Sequence, residues 1–151
     1  MLESDIKIDK DGILYYRGAH MFRKDILCIF FENLNLDDCD RYFIQLNQEI
    51  CYLDVEDTAF VVESVSRTKN PSDGFEQIEI LLSDDSTEIL DLSTLAVGKD
   101  NVMYCRIKDG KFPARFRRKS YYQLTEHIRE DEAEDAFYVF LNNQKFMIRN
   151  Q

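Results

Sequence analysis

The sequence predicts an α+β fold in which two ββαββ units are joined by a β-meander. Three observations predict it: paired strand patterns surround one helical pattern near each end of the chain, short strands with polar turns fill the middle, and the two ends share residues at nearly constant spacing. We place the first unit at 1–56, the meander at 57–100 and the second unit at 101–151. At 151 residues and 44% hydrophobic content, one compact body can form without metal ions or disulfides.

Strand and helix periods define the elements of the first unit. Ile6 and Ile8 alternate with polar residues, as in a half-buried strand, and Gly12 ends a polar turn. Apolar residues then recur at helical spacing from Phe22 to Leu34, and two segments rich in aromatic and β-branched residues follow. The expected elements are strands around 6–8 and 13–16, a helix at 22–34 and strands at 42–46 and 50–55.

The same periods define the middle section and the second unit. Residues 69–74 give the clearest loop signal of the chain. Pro113 lacks an amide donor, which suits an edge position in its strand, and Tyr121, Leu124 and Ile128 mark one face of a helix. The expected elements are strands at 59–67, 75–82, 87–92, 102–107 and 112–116, a helix at about 117–129, and hairpin strands at 137–141 and 146–148.

Motifs that recur in both ends of the chain predict an internal duplication. The matching pairs are 10–12 with 108–110 at a separation of 98 residues, and 23–24 with 118–119 and 42–48 with 137–143 at a separation of 95. A three-residue deletion in the second hairpin reconciles the two separations. Because hydrophobic periods alone would not also repeat a Lys-Asp-Gly turn and an Arg-Lys pair, we interpret the match as a repeated unit.

The cysteines, the histidines and the N-terminus argue against several classes of protein. The four cysteines and two histidines lack the spacing of zinc sites or disulfide frameworks, so we expect reduced thiols, no metal site and no cofactor. The N-terminus lacks the basic and apolar regions of a secretory signal, and no apolar stretch approaches the roughly 20 residues that span a bilayer. We therefore expect a cytoplasmic protein without a membrane partner.

Charge is unevenly distributed along the chain. Residues 106–119 contain seven of the nineteen basic residues and one acid, which is a net charge of +6 within a protein of net charge −10. The rest of the chain therefore carries −16, which disfavours binding to duplex nucleic acid over the whole surface. One local positive patch remains available for a smaller anionic group.

The basic run ends at the predicted start of a helix, which suggests an anion site. A helix start has free amide donors and a positive dipole end, so cations there indicate a negative group nearby. A nucleotide phosphate held by arginine side chains, with a tyrosine stacked on the base, would supply that group. The candidate ligand-binding residues are Arg115, Arg117, Arg118, Lys119, Tyr121 and Tyr122, with Glu56 as an orienting carboxylate.

Two other interpretations explain the same basic run. The acidic segment 130–135, or Asp84 and Asp85, would neutralise it within the chain, and a partner protein with an acidic face would neutralise it from outside. The run follows no Gly-rich phosphate loop, which argues against a nucleoside triphosphatase.

Catalysis is not the preferred expectation. Glu56 and Asp57 are adjacent in an extended segment, so their side chains point to opposite faces and at most one enters a given cleft. The preferred function is a binding or sensor module that holds a small anionic, nucleotide-like ligand in a cleft between the two units. A protein-interaction adapter is second, and a hydrolase or transferase, for which no catalytic residue is assigned, is third.

A residue pattern that covers most of the chain resembles a bacterial family. The pattern comprises Asp5, Ile6, Ile8, Asp11, Gly12, Leu14, Tyr16, Gly18, Arg23, Ile26, Phe30, Glu49, Val55, Glu56, Asp57, Phe60, Arg118, Tyr121, Tyr122 and Leu124. It resembles the family called domain of unknown function 1285, with the Val-Glu-Asp at 55–57 as its most specific part, and is more distantly similar to a small uncharacterised mitochondrial family. Asn47 and Ala59 stand where the family usually has proline, which indicates a divergent branch.

The resemblance has implications for both fold and function. It implies a duplicated α+β fold, a second half loosely similar to pleckstrin-homology domains, a ligand cleft between the halves and a role in signalling. It implies no catalytic residues.

Overall fold

A computed structural model describes residues 2–151 of the chain, with side chains from Asp5 onward; Met1 lies outside the described residues. The chain divides between Phe60 and Val61 into two compact units. Each unit contains one α-helix within its described residues, and most of the remaining regular structure is sheet. The predicted α+β class is therefore confirmed, whereas the division into three segments at residues 56 and 100 stays a prediction.

The first unit is a six-stranded sheet with one helix. Its elements are β1 (Leu2–Ile8), β2 (Leu14–Tyr16), β3 (Ala19–His20), α1 (Lys24–Glu32), β4 (Leu34–Leu36), β5 (Tyr42–Leu46) and β6 (Glu49–Val55). The strand order is β3-β2-β1-β6-β5-β4, in which β1 and β6 run parallel and the other neighbours antiparallel. Both predicted hairpins and the predicted helix are confirmed. The short strands β3 and β4 were not predicted, because two or three residues carry no periodic signal.

Side-chain burial in α1 differs from the periodic pattern that predicts the helix. Phe30 and Phe31 are buried, and the ring of Phe31 lies 5.1 Å from that of Phe60. Ile26 and Ile29 belong to the same apolar pattern but are exposed. The helix therefore packs through the side that carries Phe30 and Phe31, which is rotated from the Ile26–Ile29 stripe because successive residues lie about 100° apart around a helix.

The second unit contains two sheets and the second helix. Its elements are β7 (Phe60–Lys69), β8 (Glu76–Leu82), β9 (Thr87–Ile89), β10 (Ala96–Val97), β11 (Met103–Ile107), β12 (Phe112–Phe116), α2 (Arg118–Thr125), β13 (Ile128–Asp131), β14 (Ala136–Leu141), β15 (Gln144–Met147) and β16 (Arg149–Asn150). The order in the larger sheet is β16-β10-β11-β12-β7-β8-β9, and β13, β14 and β15 form a separate three-stranded sheet. The strands of the predicted meander thus belong to the same sheet as β11 and β12.

Two predictions for the second unit are wrong. The helix predicted to reach residue 129 ends at Thr125, and Ile128 begins β13, where it is paired with Val139. An apolar residue at helical spacing can equally face the core from a strand, so the period alone misplaced the end of the helix. Pro113 does not lie at a sheet edge either, because β12 stands between β11 and β7. It is the second residue of its strand, next to the turn at 108–111.

The two units share an order of elements but differ in sheet arrangement. In each, an antiparallel strand pair (β1 with β2, β11 with β12) comes before the helix, and a short strand and a hairpin follow it, whereas β3 and β7–β10 have no counterpart in the other unit. In the first unit, the parallel pairing of β1 with β6 joins all strands into one sheet. In the second unit, the hairpin of β14 and β15 lies in a different sheet from β11 and β12.

Candidate functional site

The candidate site begins at a β-bulge in β7. Val62 is paired with Leu82, but the next pair is Ser64 with Leu81, so Glu63 is an extra residue on the β7 side. A bulge bends its strand and redirects the side chain of the extra residue. One local signal accompanies the bulge, because Glu63 interrupts an apolar run that begins at Ala59.

Helix α2 is hydrogen-bonded to β7 around this bulge. The backbone N–H of Arg117 donates to the carbonyl oxygen of Val62 at 3.2 Å, and the Ser120 hydroxyl donates to the same oxygen at 2.6 Å. The backbone N–H of Val65 donates to Oε1 of Gln123 at 2.7 Å. Because Ser120 is also fully buried, these bonds hold the first turns of α2 at a defined position against the strand.

A polar groove lies beside the bulge and the start of α2. It has a volume of about 450 Å³. Its lining residues are Glu63, Ser64, Leu81, Ser83, Asp85, Arg117 and Lys119. Nη1 of Arg117 donates to Oε2 of Glu63 at 2.8 Å, and both side chains are about one-third exposed. Four of the lining residues are charged, two negative (Glu63 and Asp85) and two positive (Arg117 and Lys119), so their formal charges sum to zero.

The start of α2 has the polarity predicted for an anion site. Arg117 occupies the N-cap position and makes no side-chain capping bond, and the first turn of the helix contains no acidic residue. The next two side chains, Arg118 and Lys119, are exposed. Cations at a helix N-terminus are disfavoured by about 0.3–1 kcal/mol, so a negative group at this end would be stabilised by both the dipole and the side chains.

The structure brings together only some of the predicted ligand-binding residues. Arg117 and Lys119 line the same groove, whereas Tyr121 lines a different cavity of the second unit. The guanidinium carbon of Arg118 lies 5.9 Å from the ring centre of Tyr122.

The other two predicted residues occupy separate positions. Arg115 is half-buried in β12, where it is paired with Tyr104. Glu56 belongs to the first unit, and its Oε2 accepts a bond of 2.6 Å from the backbone N–H of Lys10.

One of the acids predicted to neutralise the basic run does pair with it, because Asp84 binds Lys108, a member of the run, and Asp85 lines the groove with Arg117 and Lys119. Asp131 of the segment 130–135 instead pairs with a lysine outside the run. Oδ2 of Asp84 lies 2.9 Å from Nζ of Lys108. Burial raises the pKa of Asp84, but bonds from Ser86 and Lys108 outweigh it, so the net pKa lies below the usual value. Asp131 accepts a bond of 3.0 Å from Lys145, and this bond lowers the pKa of Asp131.

Glu63 is the acid that sequence analysis missed. It is separated from Arg117 by 54 residues, and nothing in the local pattern relates the two. Ser120 and Gln123 were missed for the same reason, because their partners lie on β7.

The described part of the chain has two exposed cysteines, Cys28 and Cys39, and one buried cysteine, Cys105. No group of three or more His, Cys, Asp or Glu side chains among the described residues could hold a metal ion. Cys105 is buried, and burial raises the pKa of its thiol far above the usual value, so it stays protonated. Among the described residues, no helix has the length and apolar character required to cross a membrane.

The fold matches two solved structures at low sequence identity. A crystal structure of a DUF1285 family protein from Silicibacter pomeroyi DSS-3 has a TM-score of 0.77 and 18% identity, covering 96% of this chain and 79% of that chain. A second, of a DUF1285 family protein from Shewanella baltica OS155, has a TM-score of 0.66 and 18% identity, covering 82% of this chain and 91% of that chain.

Comparisons by sequence give no match. No family model matches the chain. No curated protein matches it either. The structural neighbours of the chain are nevertheless proteins of domain of unknown function 1285, and the resemblance stated from its residues is confirmed at the level of fold.

Proposed function

We propose that the protein is a non-enzymatic binding module and that the groove between β7 and the start of α2 holds a small anionic group. The observation that supports this proposal is the position of Arg117 and Lys119 in one groove at an uncapped helix N-terminus. Amide donors and the helix dipole favour a phosphate or carboxylate at such a place. The hydroxyls of Ser64 and Ser83 add neutral hydrogen-bonding groups to the same lining.

Glu63 determines which part of the groove an anion would occupy. Its carboxylate accepts a hydrogen bond from Nη1 of Arg117 and so orients the guanidinium. A bound anion would therefore lie on the Lys119 side, away from Glu63. Because acids and bases balance in the lining, we expect weak binding that depends on ionic strength.

Thermal-shift and calorimetric titrations with ATP, AMP and inorganic phosphate, all without magnesium, test the proposal. We expect at least one of these probes to raise the melting temperature of the wild-type protein. Lys119→Ala should weaken its binding about three- to tenfold, because one charge-assisted contact at an exposed site is lost.

Lys111→Ala is the matched control, since Lys111 is also exposed but lies in the turn before β12. Its affinity for the probe should equal that of the wild type. The absence of any stabilisation at millimolar concentration, or equal losses in the two lysine variants, would contradict the anion site.

A protein-interaction adapter is the second candidate, and a different observation favours it. Tyr122 is 56% exposed, and Arg118 lies beside its ring. Arginine and tyrosine are enriched among the residues that dominate protein interfaces. Together with Lys119, this pair would suit a partner with an acidic face.

Charge reversal tests the adapter. Acidic proteins captured by the wild type should be lost with Arg118→Glu and retained with Lys111→Glu, because only the first change places an acid in the predicted interface. Identical sets of captured proteins for wild type and Arg118→Glu would rule out this surface.

We also infer that the segments 1–56 and 101–151 arose by duplication and that the second half is loosely similar to pleckstrin-homology domains. The repeated Lys-Asp-Gly and Arg-Lys motifs and the shared order of elements support the duplication. The pleckstrin-homology relationship rests on the family resemblance.

A further inference from the structure

The second unit contains another cavity, with chemistry opposite to that of the polar groove. It has a volume of about 510 Å³ and lies among α2, β13, β14 and the strands near Met103. Apolar side chains make up half of its lining: Val97, Met103, Ile128, Phe137 and Ile148. A cavity of several hundred Å³ with an apolar lining and a few polar groups is typical of small-molecule sites.

The polar groups of this cavity favour a cationic ligand. The lining includes the carboxylate of Glu130 and neutral side chains such as that of Thr125, and no lysine, arginine or histidine is among the described residues that line it. An anion would find no countercharge here, and its desolvation would be uncompensated.

Glu130 and Phe137 form a pair that suits an ammonium group. They are directly opposite each other in the antiparallel pairing of β13 with β14, so their side chains project from the same face of the sheet about 5 Å apart. Both side chains line the cavity, and Phe137 is 53% exposed. A carboxylate beside an aromatic ring can bind a cation by charge and by its interaction with the ring face.

We propose that this cavity binds a small apolar amine, with its hydrocarbon or aromatic part against Met103 and Ile148 and its ammonium group between Glu130 and Phe137. The cavity is separate from the anion groove, because none of the residues that line one lines the other. Tyr121, predicted from the sequence to stack on a nucleotide base, instead contributes to the wall of this cavity.

Calorimetric titration with tryptamine and with indole-3-acetate tests the ligand class, since the two probes share an aromatic ring and differ in the sign of their charge. We expect tryptamine to bind and indole-3-acetate to bind at least tenfold more weakly. Glu130→Gln should lower the affinity for tryptamine about fivefold, which is the upper end of the range for an exposed ion pair. The substitution keeps the shape of the side chain and removes its charge.

Two matched variants test whether a loss of binding is specific to the cavity. Each removes the same kind of side chain at a position outside it. Glu132→Gln removes an exposed acid from the turn that follows β13, and Phe75→Ala removes an exposed phenylalanine that does not line the cavity. Both should bind tryptamine like the wild type, whereas Phe137→Ala should bind it several-fold more weakly.

Three results would overturn the proposal: no binding of tryptamine at millimolar concentration, equal affinity for indole-3-acetate, or the same affinity in Glu130→Gln as in Glu132→Gln. Because Glu130 and Phe137 are exposed, their variants are expected to fold, which circular dichroism and the melting temperature verify. Failure of the ATP and phosphate titrations would leave these outcomes unaffected.

Discussion

Leu124→Ala should lower the free energy of unfolding by about 2–5 kcal/mol, the range for truncating a buried leucine. Leu124 has no exposed surface and lies in the last turn of α2. The helix has only eight residues, which is too short to be stable alone in water, so its position depends on packing and on its bonds to β7. Urea denaturation followed by circular dichroism measures the loss.

A variant of the same helix provides the control for Leu124→Ala. Tyr122 is 56% exposed, and Tyr122→Ala should change stability by no more than about 0.5 kcal/mol, as is usual for surface positions. Equal losses in the two variants would show that α2 is not anchored through Leu124. Since the same helix supports the anion groove, Leu124→Ala should also lower the affinity for any anion that Lys119 binds.

Ser120→Ala should lower the free energy of unfolding by about 1–3 kcal/mol, the cost of losing a buried hydrogen bond. The Ser120 hydroxyl donates to the Val62 carbonyl at 2.6 Å and is also within 3.0 Å of the Arg117 carbonyl. Alanine has the higher helix propensity, which offsets up to about 0.5 kcal/mol of this loss. A net destabilisation would therefore come from the contact with β7 and not from the helix itself.

Ser66→Ala is the control for the serine variant. Ser66 lies on the same strand, β7, but is exposed, so its replacement should change stability by no more than about 0.5 kcal/mol. Thermal and urea unfolding of both variants give the comparison. Unchanged or increased stability in Ser120→Ala would mean that the bond to Val62 does not hold α2 in place.

Local sequence patterns were sufficient for the hairpins and their turns. Asn142 and Asn143 both adopt positive φ angles, 52° and 61°, in the two-residue turn between β14 and β15. Such turns favour asparagine and glycine, which is why the hairpin could be predicted. The turn before β12 uses the same chemistry, with Gly110 at a φ of 81°.

Features that depend on contacts between distant segments were predicted poorly. The end of α2 was misplaced because Ile128 fits a helical period, yet it pairs with Val139 in a sheet. The residues predicted for the anion site are not all brought together, since Arg117 and Lys119 share a groove and Tyr121 lines another cavity. A helical period does not specify which side of a short helix faces which strand.

The sequence by itself determined the α+β class, most of the strands and the concentration of positive charge in residues 106–119, because periodicity, turn chemistry and composition are local properties. Only the tertiary structure decided which groups lie next to that charge. The bulge at Glu63 and the docking of α2 on β7 bring a carboxylate to Arg117 across 54 residues of chain. Pairing of this kind depends on strand register and helix packing, which no local pattern encodes.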